Sequence, residues 1–346
     1  MKIAVDAMGG DHAPEAIVAG VAKARDQYPE LEFLLYGQTD QISKLLTDQT
    51  RIELIQADEV IGMNDEPVRA IRRKKKSSLV MAAQAVKKGE ADALFSCGNT
   101  GALLTAGLLI VGRIKGIVRP GLLSTLPVIG EQSGAFNLLD SGANAENKPE
   151  HLHQYAILGK YYAQKVRGIA NPRIGLLNNG TEPHKGSKMT QETYQLLQAD
   201  PAINFVGNIE ANTVLQNEAD VIVADGFMGN TLLKSIEGTA TAIMHLLKKT
   251  IMDSGVSSKV GALLLKPAFK QLKAKMNQAQ YGGAVLLGVK APVVKAHGAS
   301  DAETVYYTLG QIEQMLKEQM IPDLVEYFSN LNQASENTNN VANKEK

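Results

Sequence analysis

Short apolar runs alternate along this chain with longer stretches of helical periodicity, and that alternation limits the folds open to it. The strand candidates are Lys2–Ala7, Glu32–Gly37, Arg51–Gln56, Ala91–Ser96, Leu122–Ile129, Ala135–Asp140, Arg173–Asn178, Asn204–Gly207, Asp220–Asp225, Gly283–Leu287 and Pro292–Ala296. Helical patterns cover Pro14–Gln27, Leu79–Lys88, Thr100–Val111, Pro149–Val166, Thr190–Gln198, Gly229–Met252, Ser257–Asn277 and Ala302–Phe328. Such alternation predicts an α/β fold with a doubly wound, largely parallel sheet. Ligands of these sheets sit outside the carboxyl ends of the strands. No Pro- or Ser-rich linker divides the chain, so residues 1–331 are expected to form a single domain. Residues 332–346 are rich in Asn, Glu, Ser and Lys, and a tail this poor in apolar side chains is expected to be disordered.

Charge and composition remove several classes. Lys plus Arg and Asp plus Glu both number 36, so the chain lacks the basic excess of a nucleic-acid binder, and no nucleic-acid partner is expected. One cysteine, Cys97, permits neither an internal disulfide nor a thiolate metal cluster. Asp6 cuts the first apolar run short, so the N-terminus reads as a strand and not a signal peptide. The longest apolar stretch, 101–112, is well short of the ~20 residues that span a bilayer. A cytoplasmic protein with room for attachment to the inner membrane face is the expectation.

The loops after the strands carry the chemistry. Beyond Arg173–Asn178 comes Asn178-Asn179-Gly180-Thr181-Glu182-Pro183-His184-Lys185-Gly186-Ser187, then a helix. Glycines let backbone approach a ligand closely, free N–H groups at the helix start face negative charge, and Lys185 adds a full charge. Gly180, Thr181 and Lys185 are therefore candidate phosphate contacts. Asp6-Ala7-Met8-Gly9-Gly10-Asp11 has the same character, with Asp6, Gly9 and Gly10 as candidates; a tight structural turn is the competing reading. Asn99, Thr100 and Gly101 follow in Ser96-Cys97-Gly98-Asn99-Thr100-Gly101, where Cys97 also raises an acyl-enzyme possibility without a base fixed beside it. Asp225 and Gly226 open Asp225-Gly226-Phe227-Met228-Gly229-Asn230, in which Asn230 either caps a helix or donates its amide to a carbonyl. His297, in Lys295-Ala296-His297-Gly298, contacts a phosphate, acts as a base or holds a turn.

Absences narrow the field. There is no Gly-x-Gly, no Walker A sequence, no Gly-x-Ser-x-Gly and no His-x4-Asp. No cofactor and no metal site are expected, and His151 and His153, two apart on a helix, do not face one another. Two surfaces stand out. Arg72-Arg73-Lys74-Lys75-Lys76 is a solvated face or a dock for an acidic partner. The segment 256–277 places Val256, Val260, Leu263 and Leu264 at helical spacing beside Lys266 and further lysines. A basic amphipathic helix of this kind meets an anionic membrane, an acidic protein or a dimer partner.

Taken in order, Asp6–Asp11, Gly98–Ala102, Gly180–Glu182 with Lys185-Gly186, Asp225–Phe227 with Gly229-Asn230, Tyr281–Ala284 and Lys295–Gly298 resemble the motifs of the bacterial phosphate acyltransferases, the acyl-acyl-carrier-protein:phosphate acyltransferases of phospholipid synthesis. The resemblance runs from Met1 to about Phe328. It implies a fold similar to phosphotransacetylases and isocitrate-dehydrogenase-like enzymes, and a homodimer. It implies transfer of a fatty acyl group from acyl carrier protein to inorganic phosphate. It also implies peripheral membrane association and delivery of acyl phosphate to a membrane glycerol-3-phosphate acyltransferase. Lys185 and Asn230 fall where the family's motifs place active-site residues, and Val256–Leu264 matches its membrane-facing region. Cys97 departs from the alanine often found there, and Pro183-His184 is a local variation.

Phosphate is itself a nucleophile, so such a reaction needs positioning and charge balance and no activated serine or cysteine. The expectation is that loop N–H groups and Lys185 hold phosphate while Asn230 donates to the developing oxyanion, or the reverse. A nicotinamide-dependent dehydrogenase on a similar fold and a non-catalytic membrane-surface scaffold are the competing readings.

Overall fold

The computed structural model describes residues 1–129, 134–275 and 278–342. In chain order the first half holds β1 (Lys2–Asp6), α1 (Glu15–Gln27), β2 (Glu32–Gly37), α2 (Thr39–Ile42), β3 (Ile52–Gln56), α3 (Pro67–Arg73), α4 (Ser78–Lys88), β4 (Ala93–Ser96), α5 (Thr100–Ala106), β5 (Gly121–Pro127) and β6 (Ala135–Leu139). The second half holds α6 (Pro149–Lys165), β7 (Ile174–Asn178), α7 (Lys188–Ala199), β8 (Phe205–Glu210), β9 (Val221–Val223), α8 (Gly226–Asp253), α9 (Val256–Leu264), α10 (Lys266–Lys275), β10 (Ala284–Leu287), β11 (Val293–Lys295), α11 (Ala302–Lys317) and α12 (Met320–Ala342).

All the strands join one sheet in the order β3-β2-β1-β4-β11-β10-β5-β6-β9-β7-β8. From β3 to β11 the pairs are parallel. β10 runs against β11 and β5, and β5 runs against β6. From β6 to β8 the pairs are parallel again. Following these senses across the sheet, the two parallel blocks point in opposite directions. The loops after β1, β4 and β11 therefore leave one end of the sheet, and those after β6, β7 and β9 leave the other. The sheet is largely parallel, as expected, but its loops do not all converge on one set of carboxyl ends.

Side-chain alternation along the strands sends apolar residues to both faces. One face, including Val5, Phe95, Leu123, Leu139 and Val223, packs on α1, α6, α11 and α12 through Ile17, Tyr155, Leu309 and Leu324. On the other face, α4 and α5 cover Ala4, Leu94 and Leu286 with Leu79, Ala83 and Leu103. Leu126, Leu138 and Ile222 form a separate cluster with Leu232 of α8. Between these two clusters a strip of β5 remains, including Ser124.

Several element limits differ from expectation for identifiable reasons. α3 was hidden in the basic run; Glu66 caps it by accepting from Val68 and Arg69, and Pro67 occupies its first turn. α8 begins three residues early because Asp225, not Asn230, is its cap. The predicted Ser257–Asn277 helix divides at Leu265, and its last two residues lie outside those described. The predicted Ala302–Phe328 helix breaks near Gln319, whose φ of 51° is incompatible with a continuing helix. α12 then runs on to Ala342, through a segment whose composition predicts disorder, while 343–346 lie outside the described residues. Among the described residues no helix is long and apolar enough to cross a membrane.

Candidate active site

A cleft of about 490 Å³ lies over the uncovered strip of β5. Leu122, Ser124 and Thr125 contribute from β5, with Ser141 and Gly142 from the loop after β6 and Asn230, Leu233 and Lys234 from α8. Thr100, Gly282, Gly283, Lys295, His297 and Ser300 join it from the loops around β4, β10 and β11, and Glu237 of α8 adds a carboxylate.

Local packing explains how Asn230 reaches this cleft. The Asp140 carboxylate is fully buried and accepts from the N–H groups of Leu122, Gly142, Ala143 and Asn144 at 2.8–3.0 Å, and from the Asn144 side chain. These bonds gather the loop after β6 into a compact platform, although burial still raises the Asp140 pKa. The start of α8 rests directly on that platform. A Cβ at Gly229 would sit 1.9 Å from the Asp140 carbonyl oxygen, and one at Gly226 would sit 2.2 Å from that of Asn144. Asp225 accepts from Met228 N–H at 2.9 Å as the cap. Asp225 and Gly226 thus shape the helix start and do not line the cleft, while Asn230, half-buried, abuts Gly142 and faces into it. Of the two readings of Asn230, the cap is excluded, because Asp225 holds that position.

The loops after β1, β4 and β11 pack on one another. Asp6 is buried, accepting from the Ser78 and Ser96 hydroxyls at 2.6 Å, and burial raises its pKa. Gly9 lies against Asp6, Ser96 and Gly98, with no room for a Cβ; Gly10, at φ +113°, faces Cys97 and Gly298. Asp11 N–H donates to the Gly298 carbonyl at 2.8 Å. Asp6, Gly9 and Gly10 therefore build the support under the cleft and do not line it. Asn99 caps α5 through Ala102 and donates to the carbonyls of Gly62, Met63 and Asp65. Gly101 packs on Pro67. Of that loop only Thr100 lines the cleft. His297 lines it too, with Nδ1 accepting from Ala299 N–H at 3.1 Å to hold its own turn.

Lys185 lies elsewhere. Its loop is drawn together by Asn178, which donates to the Lys185 carbonyl at 3.2 Å, and by Asn208, which donates to that of Glu182. Gly180 lies under the Lys185 side chain, and Thr181 is exposed. The Lys185 ammonium is part-exposed and faces Glu182 at 3.8 Å. Asn178 of this loop borders a second cavity of about 650 Å³, apolar and lined by Leu177, Leu215, Phe227, Leu232, Ile236 and Ile243 among others. Phe227 and Thr231 face that cavity while Asn230 and Leu233 face the cleft, so α8 stands between the two. Lys185 and Asn230 are not neighbours in one cavity.

Cys97 is buried under the cleft, and burial pushes its thiol up to about 12. A thiol so rarely ionised is a poor nucleophile. Two of the cleft serines bond elsewhere: Ser124 to Ser141 at 2.8 Å, and Ser141 to the Leu122 carbonyl. No cleft serine bonds a histidine among the described residues, and none of their His, Cys, Asp and Glu side chains form a group able to hold a metal. The residue missed by sequence reasoning is Lys295, which looked like one lysine in a turn. Its burial, only 7% exposed, comes from its place at the end of β11 between β4 and β10.

The basic run is only partly a free surface. Lys74 pairs with Asp65 at 2.5 Å and donates to the Val60 carbonyl; Lys76 pairs with Asp58 at 3.4 Å. Arg72 and Arg73 remain exposed. On the projecting helices Val260, Leu263 and Leu264 are 52%, 68% and 77% exposed, and Lys266 is exposed beside them. The side chain of Val256 lies outside what the structure describes.

Residues 1–322 match the model of a family described as "Fatty acid synthesis protein". The phosphate acyltransferase of Ligilactobacillus salivarius is 67% identical over 95% of this chain and 98% of its own. That of Enterococcus faecalis is 60% identical over the same shares, and that of Streptococcus pneumoniae is 57% identical over 95% and 99%. Among solved structures, a phosphotransacetylase from Streptococcus pyogenes superposes with a TM-score of 0.61 at 17% identity, covering 93% of this chain and 94% of that one. A branched-chain phosphotransacylase from E. faecalis gives 0.58 at 16% identity, over 91% and 98%. Those two establish likeness of fold. With two-thirds of its residues shared along nearly the whole length of a named relative, this chain belongs to the phosphate acyltransferase family and is an acyltransferase.

Proposed function

We propose that this protein transfers a fatty acyl group from the thioester of acyl carrier protein to inorganic phosphate, releasing the carrier and giving acyl phosphate for glycerolipid synthesis. The observation that carries the direct route is the cleft itself. It presents the Asn230 amide, serine and threonine hydroxyls and lysine ammonium groups, with the Glu237 carboxylate farther along α8, while Cys97 is sealed beneath it and no cleft serine has a histidine base among the described residues. Such a site suits displacement by a bound phosphate better than an acyl-enzyme. A phosphate oxygen attacks the thioester carbonyl, the carbon–sulfur bond breaks, and the thiolate departs with the carrier. Asn230 donates its amide to the oxygen that gains charge in between. Lys185, exposed on its loop across α8, draws the anionic substrates toward that helix.

The helices beyond the domain supply the surface. α8 has its buried residues within its first two turns, at Gly226, Gly229 and Leu232, and the rest projects. Val260, Leu263 and Leu264 with Lys259, Lys266 and Lys270 suit insertion at an anionic membrane, where product passes to a glycerol-3-phosphate acyltransferase. The apolar side of α8, with Ile243 and Leu246 exposed, suits a homodimer. Localisation would then be cytoplasmic, with peripheral attachment to the inner membrane face. Supplying long-chain acyl-carrier protein and inorganic phosphate should yield acyl phosphate and free carrier thiol in equal amounts. Thiol release that does not require phosphate would overturn the reading.

A further inference from the structure

We infer that Lys295 and Ser300 form the seat of the acceptor phosphate within the cleft, a pairing that rests on the acyl-to-phosphate reading above. Lys295 is 7% exposed, and its ammonium donates to the main-chain carbonyls of Cys97, at 3.3 Å, and Ala296. Among the described residues no carboxylate forms a salt bridge with it. An ammonium has three donors, and a buried charge without a counter-ion is costly. The two carbonyls occupy two donors, leaving the third for an anion in the cleft that Lys295 lines.

Ser300 supplies an independent observation. It is 6% exposed, it lines the same cleft, and its Oγ has no hydrogen-bond partner of standard geometry. Its polar neighbour is the Cys97 thiol, a weak hydrogen-bonding group. Buried hydroxyls are rarely left without a partner, and an oxyanion seated beside Lys295 would provide one.

The surrounding backbone packs tightly and holds Lys295 in place. Gly283 lies against the Lys295 carbonyl, where a Cβ would come within 2.5 Å, and Gly282 holds φ +80°. Gln311 pins this turn, accepting from Gly283 N–H at 2.8 Å and donating to the Gly283 carbonyl at 3.1 Å. Burial lowers the Lys295 pKa, and the carboxylates of Asp6 and Asp11 work the other way. Asp6 is sealed off by two serine hydroxyls, so its charge supports the ammonium from beneath without lining the cleft.

The test is titration of the full-length protein with inorganic phosphate by calorimetry at fixed ionic strength, alongside steady-state kinetics. Lys295→Met should weaken phosphate binding about tenfold or more, the scale of a hydrogen bond to a charged group. Ser300→Ala should weaken it by about threefold to tenfold with little change in melting temperature, because in the free protein its hydroxyl has only the weak Cys97 thiol beside it. In both variants KM for phosphate should rise while KM for the acyl donor holds. If Lys295→Met does not fold, Ser300→Ala carries the decision. Unchanged phosphate binding in the folded variants, absence of binding to the wild type, or a rise confined to the donor KM would overturn the assignment. Lys295-dependent phosphate binding by a protein that makes no acyl phosphate would keep the anion seat and overturn the reaction.

Discussion

Asn230 owes its position to neighbours that have no side chain to obstruct it. Gly226 and Gly229 let α8 rest on the Asp140 loop, and Gly142 leaves space beside the amide. Asn230→Ala should therefore lower kcat by about 10²–10³, the usual size for one oxyanion donor, with the fold intact. A fall of less than threefold in kcat would remove Asn230 from the reaction. Lys74 acts at a distance. Its bond to Asp65 holds the 62–65 loop, whose carbonyls receive the Asn99 amide at the start of α5. The Lys74 hydrogen bond, then the Gly62 N–H, hold the Asp65 carboxyl below the usual aspartate range. A depressed carboxylate pKa means stabilisation that is present above the unfolded-state value of about 3.9 and is lost as pH falls through the lower folded value. Lys74→Met should lower the melting temperature near neutrality, and the gap from wild type should narrow below about pH 4. A gap independent of pH would show that the ion pair is not the cause.

At the scale of elements, the docking of α8 connects sequence to site. Phe227, Met228, Thr231 and Leu232 face the apolar cavity while Asn230, Leu233 and Lys234 face the cleft, so rotation or displacement of one helix changes both. Gly229→Ala would bring a methyl to 1.9 Å from the Asp140 carbonyl, which backbone must yield to accommodate. The expected cost is about 1–3 kcal/mol of stability, the range for overpacking, with activity falling further than stability because Asn230 moves with the helix. Wild-type activity in a stable Gly229→Ala protein would dissociate the helix seat from the site. The helices themselves were legible. Periodicity located α1, α4, α6 and α7 to within a few residues, since one face of each meets the core. α3 was masked because Arg69, Arg72 and Arg73 outweigh its buried apolar residues, Ala70 and Ile71, in only seven positions. The split at Leu265 and the break near Gln319 were equally illegible in a periodicity that does not register single backbone angles.

Over the whole molecule, the feature most exposed to its surroundings is the helical projection. α8 alone, at 1.5 Å per residue, is roughly 42 Å long, and its buried residues lie at one end. If α9 enters a membrane surface, Leu263→Glu combined with Leu264→Glu should weaken co-sedimentation with anionic vesicles by more than about tenfold, since each buried leucine is worth about 1.5–3 kcal/mol. Equal sedimentation of the variant would assign that face to a protein contact instead.

The sequence by itself determined the alternating α/β plan, the sites of the strand-end loops and the family, because these depend on local periodicity, turn chemistry and ordered motifs. It did not determine which loops share a cleft. Lys185 and Asn230 looked equivalent, each in a glycine-rich loop beyond a strand, yet α8 separates them. Asp6, Asn99 and Asp225 looked like ligand groups, and each makes hydrogen bonds inside the fold, Asp225 as the cap of α8. Lys295 looked ordinary, and burial between β4 and β10 made it the cleft's enclosed cation. Those outcomes rest on strand order, on the reversal of direction across β10 and β5, and on which polar groups find partners. Only long-range packing decides them, because a side chain's exposure and partners come from residues far away in sequence.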